Sequence, residues 1–399
     1  MATFTAADFF QLEDLLTAEE RHIRDSVRDW VERRFLPVVA RHYRDGTFPV
    51  EFIPELAQLG VFGPSIEGRG CAGLGSTAAG LMMQELERGD SGLRTFASVQ
   101  GSLAMMAIDL FGSEEQKDRW LPSMAKGEKL GCFALTEPGA GSNPAALTSR
   151  ALKASDGYRL SGTKKWIGNG TIADVAIVWA KIDGEPSTDG GNADAIRGFL
   201  VEKETPGFSA TLIEGKLSLR AALTAELQFN DCDLPATSLL PKSSGLRSPL
   251  TCLNHARYGI AWGAIGAAMA CYDEARQYAM QREQFGRPLA SFQLVQAKLV
   301  SMLTEITKAQ LLAHRLAQLK DAGAAKHYHI SMAKMNNVEI ALEIARSARD
   351  LLGAVGILDD HQCFRHMCNL ESVKTYEGTH DIHRLILGQH ITGLSAFGC

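Results

Sequence analysis

Apolar residues recur at intervals of three and four positions through most of the first third of the chain, a spacing that places them on one face of a helix. Two capping-box patterns mark expected helix starts, Thr17 with Glu20 and Ser113 with Gln116. The same apolar spacing within residues 50–59 and 78–88 predicts further helices. The chain is therefore predicted to be helical up to about residue 128.

The pattern changes in the middle third. Short β-branched and aromatic runs, separated by Gly, Asn, Asp and Pro, predict strands at 158–167, 175–180, 198–202 and 226–229. Residues 183–195 are polar, Gly-rich and without period, so we expect an exposed and mobile hairpin excursion there. Helical period then returns in blocks at 250–281, 292–321, 327–352, 361–371 and after 379.

Helices and strands are thus segregated along the chain and do not alternate, which favours an α+β fold over a doubly wound sheet. We predict an N-terminal α-helical domain, a middle β-barrel or sheet domain and a C-terminal four-helix bundle, over residues 1–128, 129–242 and 243–399.

Composition removes several classes of protein. The 399 residues carry a net charge of −5, with 22% charged and 45% hydrophobic positions, which argues against nucleic-acid binding. The eight cysteines include no C-x-x-C pair and predict buried thiols in a reducing, cytoplasmic compartment. The N-terminus lacks the features of a secretory signal, and the apolar stretch 258–272 is shorter than the roughly 20 residues that span a bilayer. We expect a buried helix there and no membrane segment.

No glycine-rich dinucleotide fingerprint follows a strand, and no P-loop is present. His380 and His383 have a spacing that can place two metal ligands on one helical face, but no third ligand lies in suitable local spacing. A pair of polar residues at a helix end is the favoured interpretation, and no metal site is expected.

Two loops carry candidate chemistry. Residues 135–142, LTEPGAGS, offer backbone N–H groups and two hydroxyls to a polar ligand, or form a connecting turn. Residues 376–379, YEGT, place a carboxylate on a bend beside a glycine, where a ligand could approach closely. Taken alone, an acid in a loop is usually solvated.

Five strings, in order, resemble those of the acyl-CoA dehydrogenases: CFALTEPGAGS (132–142), GTKKWIGN (162–169), ARYGIAWGAIGAA (256–268), REQFGRPLASFQ (282–293) and TYEGTHDIHRLILG (375–388). Within the family, residues 85–100 and 251–263 look most like glutaryl-CoA dehydrogenase. The resemblance implies the family's helix, sheet, helix fold.

The resemblance also implies a mechanism. Glu377 matches the base that removes the α-proton of an acyl-CoA thioester while a hydride leaves the β-carbon for FAD. In the family, the backbone N–H of the base residue and a flavin hydroxyl stabilise the developing enolate. Gly378 would let the thioester come close, and partial desolvation of Glu377 would raise its proton affinity.

Family positions that contact FAD map onto three parts of this chain. The isoalloxazine contacts match Phe133, Leu135, Thr136, Gly141, Ser142, Trp166, Ile167 and Gly168. Further FAD contacts match Asp350, Gly353, Thr379 and Asp381. On two neighbouring helices, the positions that reach the ADP portion of FAD in an adjacent subunit match Arg282, Phe285 and Gln293. The resemblance thus implies a homo-oligomer, typically a tetramer, with an electron-transferring flavoprotein as acceptor.

Arg94 and Ser98 match the residues that hold the distal carboxylate of a dicarboxylic acyl-CoA, and Glu87 matches as well. Positions near the CoA or acyl chain match Ser142, Asn254, Arg257, Tyr376 and Gly378. We therefore expect a glutaryl-CoA-like substrate. Whether the distal carboxylate is lost to give crotonyl-CoA stays open.

Three departures from the glutaryl-CoA dehydrogenase pattern keep alternatives open. Gly168 replaces a threonine near the flavin, Leu93 replaces a tyrosine before the carboxylate-binding arginine, and Gly353-Ala-Val-Gly356 replaces Gly-Gly-Asn-Gly. A 2-substituted succinyl-CoA, such as an aromatic-substituted one, and short-chain acyl-CoA oxidase activity are the alternatives among enzymes. A non-catalytic acyl-CoA-binding scaffold is a third, disfavoured by the presence of Glu377, Thr136 and Arg282 together.

Overall fold

The N-terminal part of the molecule is helical, as predicted. A computed structural model describes residues 8–186 and 194–397. The helices of this part are α1 (Ala18–Trp30), α2 (Leu36–Asp45), α3 (Ile53–Gln58), α4 (Ser76–Gly89), α5 (Ser91–Ser98), α6 (Met106–Phe111) and α7 (Glu114–Ala125). Both capping boxes are confirmed. The hydroxyl of Thr17 accepts from the backbone N–H of Glu20, whose side chain accepts from the backbone N–H of Thr17, and Ser113 and Gln116 are paired in the same way.

Two π-helical turns interrupt this helical region. Val31–Phe35 joins α1 to α2, and Val99–Met105 joins α5 to α6. Helix α4 is buried along its whole length, so it forms the centre of the helical core. A Cβ at Gly80 would stand 2.5 Å from the indole nitrogen of Trp262, which explains why glycine is required where α4 crosses the long C-terminal helix.

The middle of the chain forms a seven-stranded mixed sheet in the described residues. Its strands are β1 (Gly131–Ala134), β2 (Arg150–Ala154), β3 (Gly157–Gly168), β4 (Val175–Pro186), β5 (Asp194–Glu202), β6 (Phe208–Leu212) and β7 (Thr224–Pro235). The spatial order is β1-β4-β2-β3-β7-β6, with β5 paired to β4. The four predicted strands are confirmed in β3, β4, β5 and β7. The pattern missed β1, β2 and β6 because each is short and carries at most two β-branched or aromatic residues.

The predicted hairpin excursion at 183–195 is shorter than expected. Strands β4 and β5 stay paired as far as Pro186, which faces Asp194. A register shift between Ile182 and Pro186 accommodates the polar sequence. Its remainder, 187–193, lies outside the described residues.

The five helical blocks predicted for the last third are confirmed. They are α8 (Arg247–Gln281), α9 (Gln293–Asp321), α10 (His327–Leu351), α11 (Gln362–Thr375) and α12 (His380–Thr392). A small hairpin, β8 (Glu283–Gln284) with β9 (Arg287–Pro288), separates α8 from α9. Of the three residues expected on two neighbouring helices, Gln293 begins α9, whereas Arg282 follows the end of α8 and Phe285 lies at the hairpin tip. The stretch 258–272 is the buried centre of α8. Among the helices of the described chain, none has the length and apolar character needed to cross a membrane. Cys252, Cys271, Cys363 and Cys368 carry free thiols, and the first three are buried.

A buried ion pair fixes the loop after β1 to the sheet. The Glu137 carboxylate accepts hydrogen bonds from the backbone N–H and the hydroxyl of both Thr148 and Ser149, at 2.6 to 2.9 Å. It also pairs with the ammonium of Lys164 at 2.8 Å, and that ammonium donates to the carbonyl of Leu135 at 3.0 Å. Burial opposes ionisation of Glu137, but Lys164 and the other donors outweigh it and lower the pKa of the carboxyl to about 2.

Glu137→Gln is therefore expected to destabilise the fold, because the amide keeps the shape but leaves the buried Lys164 without its counter-charge. We expect a lower urea midpoint, equivalent to about 3 kcal/mol of unfolding free energy near neutral pH. The carboxylate's contribution is present above its ordinary pKa of 4.5 and is lost as the pH falls toward 2, so variant and wild type should converge in acid.

The matched control is Glu226→Gln, which removes a surface carboxylate that pairs with Lys165 at 3.0 Å in the same sheet. Its midpoint should equal that of the wild type. If Glu137→Gln had the same urea midpoint as Glu226→Gln, the assigned role of Glu137 would be contradicted.

Candidate active site

The segment Tyr376–Thr379, called the base loop below, turns the chain sharply between α11 and α12. Glu377 has φ of 53° and Gly378 has φ of 97°, so two successive residues adopt positive φ values. A glutamate in that region is uncommon and persists only where its surroundings enforce it. The hydroxyl of Thr379 then caps α12 by accepting from the N–H of Ile382 at 3.3 Å.

Two buried cations hold the base loop. The Nε of Arg257 donates to the carbonyl of Glu377 at 2.7 Å. The Nζ of Lys334 donates to the carbonyls of Tyr376 and Gly378, the latter at 2.6 Å. Three consecutive carbonyls are thereby fixed by side chains from α8 and α10, and so is the backbone that carries the Glu377 side chain.

The Glu377 carboxylate has the electrostatic character of a base. Its Oε2 atom is buried and has no hydrogen-bond partner among the described residues. Burial raises the pKa of this carboxyl above its ordinary value, against the opposing pull of Arg94, Lys334 and Arg257. A carboxylate with an unpartnered oxygen and a raised pKa is suited to accept a proton from a bound ligand.

A second cluster, called the anion subsite below, consists of Arg94 and Ser98 on α5. The Nε of Arg94 pairs with Glu87 at 2.7 Å, and its Nη2 donates to the hydroxyl of Tyr376. Its Nη1 and the hydroxyl of Ser98 are buried and have no partner in the described structure. Burial alone would lower the pKa of the Arg94 guanidinium. The negative charge of Glu87 and its hydrogen bond outweigh this effect, so the pKa is raised. The guanidinium is therefore charged and keeps a free donor.

Glycine at position 263 permits the pairing of Glu87 with Arg94. A Cβ there would stand 2.1 Å from the nearer carboxylate oxygen of Glu87 and 3.2 Å from the Nε of Arg94. Leu93, beside Arg94, is fully buried in the hydrophobic core.

The loop after β1 and the end of β3 form a second surface. Phe133 and Leu135 are buried, while Thr136 is half-exposed and its carbonyl accepts from the N–H of Lys165 at 2.9 Å. Trp166 lies in a bulge of β3 with φ of 64°, and its indole is 58% exposed although its neighbour Ile167 is buried. A Cβ at Gly139 or at Gly141 would meet no atom within 4 Å, so the backbone there is open to a ligand. An exposed indole beside accessible backbone fits a planar ring.

Other predicted cofactor residues lie elsewhere on the molecule. Arg282, Phe285 and Gln293 are exposed around the β8–β9 hairpin, and in the described residues no hydrogen bond or ion pair joins them to either loop. Asp350 pairs with Lys298, and the exposed Asp381 pairs with Arg384. The other predicted positions are all half-buried or exposed: Ser142 lies in the loop after β1, Gly168 ends β3, Asn254 is on α8, Gly353 follows α10 and Thr379 ends the base loop.

The histidines of α12 serve the packing behind the base loop. The Nδ1 of His380 lies 2.7 Å from a carboxylate oxygen of Glu339. His383 is fully buried, and burial together with Lys334 and Arg257 lowers its pKa to about 2, so it is neutral. Among the described residues, no group of three or more His, Cys, Asp or Glu side chains is arranged to hold a metal.

Sequence reasoning missed Lys334. One signal was available, because Lys334 occupies a helical stripe of apolar positions, with Ile330, Val338 and Ala341 at spacings of four, four and three residues. Lysine is almost never fully buried unless it is paired, so a lysine in such a stripe predicts a specific buried acceptor.

The sequence matches three family models. They are the acyl-CoA dehydrogenase N-terminal domain over residues 17–128, the middle domain over 132–232 and the C-terminal domain over 243–392.

Solved structures and a curated relative agree with these matches. The crystal structure of glutaryl-CoA dehydrogenase from Mycobacterium smegmatis is 51% identical, with a TM-score of 0.93 over 97% of this chain and 98% of that chain. A glutaryl-CoA dehydrogenase from the same organism, in complex with FADH2, is 47% identical, with a TM-score of 0.95 over 99% of this chain and 100% of that one. The human mitochondrial short-chain specific acyl-CoA dehydrogenase is 36% identical over 366 residues, 91% of this chain and 88% of that protein.

Gly378→Ala is expected to disturb the base loop. A Cβ at this position would lie 3.1 Å from the ring of His383 and 3.3 Å from the guanidinium of Arg257, in addition to the strain of φ at 97°. We expect a loss of about 1–3 kcal/mol in unfolding free energy, measured by thermal unfolding.

Gly393→Ala provides the control, because Gly393 also has a positive φ of 73° but its Cβ would meet open space. The difference between the two variants isolates the contacts with His383 and Arg257. A smaller effect at 378 than at 393 would show that the loop is not packed as described.

Proposed function

The chain belongs to the acyl-CoA dehydrogenase family, and we propose that it oxidises the α,β carbon–carbon bond of a CoA thioester that carries a second carboxylate, of the glutaryl-CoA type. The observation that carries this proposal is the anion subsite. A charged, fully buried Arg94 keeps one unpartnered donor, and the hydroxyl of Ser98, about one helical turn along α5, is also buried and unpartnered. A buried charge with a free donor matches a ligand carboxylate better than it matches a hydrocarbon chain.

The chain is an FAD-dependent oxidoreductase by its family. The exposed indole of Trp166 and the open backbone at residues 139 and 141 would hold the flavin ring. When bound, FAD supplies the acceptor for the hydride that leaves the substrate's β-carbon. The buried pair of Glu137 and Lys164 fixes the backbone on which this surface is built.

Glu377 removes the α-proton. Its unpartnered oxygen is free to take the proton, and its raised pKa increases its affinity for it. As the α-proton leaves, negative charge develops on the thioester oxygen and requires a donor. No acceptor for the backbone N–H of Glu377 is found among the described residues, so this N–H is available to the thioester oxygen.

Arg94 and Ser98 select the substrate. A distal carboxylate would accept from the free Nη1 of Arg94 and from the hydroxyl of Ser98, and would satisfy both buried groups. A monocarboxylic acyl group leaves them unpaired, which costs binding energy in a water-poor site.

We further propose a cytoplasmic homotetramer that passes electrons to an electron-transferring flavoprotein. The exposed side chains of Phe285, Leu294 and Val300 lie around the hairpin between α8 and α9 and support burial against another subunit. Arg282 and Gln293 on the same face would then reach the ADP portion of FAD in the adjacent subunit. The free thiols of the described chain are compatible with a reducing compartment.

Anaerobic addition of glutaryl-CoA to the flavin-loaded protein tests the proposed reaction. Bleaching of the visible flavin band with formation of crotonyl-CoA would establish a decarboxylating enzyme, and formation of glutaconyl-CoA a non-decarboxylating one. No bleaching would overturn the glutaryl assignment, and substituted succinyl-CoA esters and butyryl-CoA would then be compared. Rapid oxygen consumption with any of these thioesters would indicate an oxidase.

Glu377→Gln is expected to retain flavin and to bind acyl-CoA but to lose dehydrogenation, because the amide preserves shape and removes the base. Flavin reduction under anaerobic conditions should slow by on the order of 10³-fold or more. In the wild type, the rate should fall as the pH drops through a pKa above the ordinary value for glutamate, since only the ionised carboxylate accepts the proton. Near-normal reduction by the variant would refute the assignment of the base.

Arg94→Ala should lose activity toward glutaryl-CoA far more than toward butyryl-CoA, by on the order of 10²-fold in kcat/KM, because only the former loses a charge-assisted pair. Removing Arg94 alone strands the buried charge of Glu87, so the variant Glu87→Gln/Arg94→Met is measured beside it, with Glu87→Gln as the control. Equal losses for both substrates would assign Arg94 a purely structural role.

A further inference from the structure

Lys334 is the most unusual buried charge in the site. Its side chain, on α10, has no exposed surface, and no carboxylate forms an ion pair with it in the described chain. Its hydrogen bonds go to two backbone carbonyls, those of Tyr376 and Gly378. An ammonium buried without a direct counter-ion is costly, and apolar side chains of similar length would pack in the same stripe of α10.

The two carbonyls that Lys334 contacts lie on either side of Glu377. The carbonyl of Tyr376 belongs to the same peptide group as the N–H of Glu377. A positive charge on the oxygen of a peptide group draws electron density along the amide, which makes the N–H at the other end a stronger donor. That N–H is the one for which the described structure provides no acceptor.

We infer that Lys334 is a positioning residue that holds and polarises the peptide group between Tyr376 and Glu377, so that the Glu377 N–H stabilises the enolate formed at the thioester oxygen. This inference rests on the proposed function. In this view the base loop carries two functional groups of Glu377. Its carboxylate accepts the proton, and its backbone N–H is an activated hydrogen-bond donor.

The charges around Lys334 are consistent with this role. Burial lowers the pKa of the ammonium to about 7, the nearby carboxylate of Glu377 raises it, and the cations Arg257 and Arg94 lower it. His383, which faces the same loop from α12, is neutral and adds no charge. Lys334 thus keeps its proton most firmly when Glu377 is ionised, which is the state of the enzyme that is ready to remove a proton.

A purely structural role would also explain two hydrogen bonds to a strained loop, so the test must measure polarisation directly. The probe is acetyl-CoA labelled with carbon-13 at the thioester carbonyl, which has no β-carbon and cannot be dehydrogenated. Its carbonyl stretching band, measured by infrared difference spectroscopy on the flavin-loaded protein, reports how strongly the site polarises the thioester. Binding to the wild type should shift this band to lower wavenumber.

Lys334→Met keeps the length and apolar stem of the side chain and removes the charge. We expect the shift of the carbonyl band to shrink by about half and anaerobic flavin reduction to slow about 10–100-fold. This rate loss is smaller than the loss caused by removing an oxyanion donor altogether. The Kd of acetyl-CoA should change less than about 3-fold, because the effect belongs to the charge that develops during reaction.

Lys320→Met is the matched control. Lys320, on α9, is a half-buried lysine that lies 5.3 Å from the ring of Tyr258 and donates no hydrogen bond to the base loop. Its band shift should equal that of the wild type. A wild-type band shift in Lys334→Met would overturn the inference even if flavin reduction slowed, because the loss would then come from loop geometry alone.

Lys334→Gln serves if the methionine variant does not fold or does not retain flavin. Its amide can donate to one carbonyl but carries no charge. The carbonyl band of bound acetyl-CoA should therefore shift, but less than in the wild type. A full wild-type shift would again overturn the inference. The failure of the proposed function is a separate result. In that case no acyl-CoA thioester reduces the wild-type flavin, while the carbonyl band still reports whether Lys334 polarises the peptide.

Discussion

The carbonyls of Tyr376, Glu377 and Gly378 are each fixed by a buried cation, two by Lys334 and one by Arg257. These bonds make the positive φ values of residues 377 and 378 tolerable, because strain of that kind persists only where the surroundings enforce it. The cations come from α8 and α10, whose packing brings residues about 40 and 120 positions distant in sequence onto one loop. The position of Glu377, the proposed proton acceptor, therefore depends on the packing of α8 and α10.

The same contacts determine the charge of the site. Arg94, Arg257 and Lys334 face two carboxylates, those of Glu87 and Glu377, so the buried cluster carries one excess positive charge when all five groups are ionised. Such an excess is costly in a water-poor interior unless a ligand neutralises it. A carboxylate on the substrate would do so, and its removal from water would be offset by the free donors of Arg94 and Ser98. The total charge therefore supports the proposed preference for a dicarboxylic thioester independently of the geometry of the anion subsite.

Local sequence signals predicted much of the architecture, because capping boxes and apolar spacing act within a few residues. Thr17 and Ser113 mark helix starts, and the long strands β3 and β4 contain short groups of β-branched and aromatic residues. The resemblance to the acyl-CoA dehydrogenases supplied Glu377 and Arg94. Lys334 and the partnership of Glu137 with Lys164 were not predictable in this way, since each depends on contacts between residues far apart in the chain. A buried lysine is ambiguous in sequence until its acceptor is known.

One continuous segment connects the anion subsite with the surface at the end of β3. Helix α5 carries Arg94 and Ser98 and runs directly into the π-helical turn that begins at Val99. A Cβ at Gly168 would stand 3.0 Å from a methyl group of Val99, so glycine at this position lets the turn pack closely against the end of β3, next to Ile167 and the exposed indole of Trp166. A threonine at 168 would require Val99 to move, and Val99 is adjacent to Ser98. The glycine that distinguishes this chain from the glutaryl-CoA dehydrogenase pattern therefore packs against the residue that follows the anion subsite in the chain, and a side chain at position 168 would press on Val99.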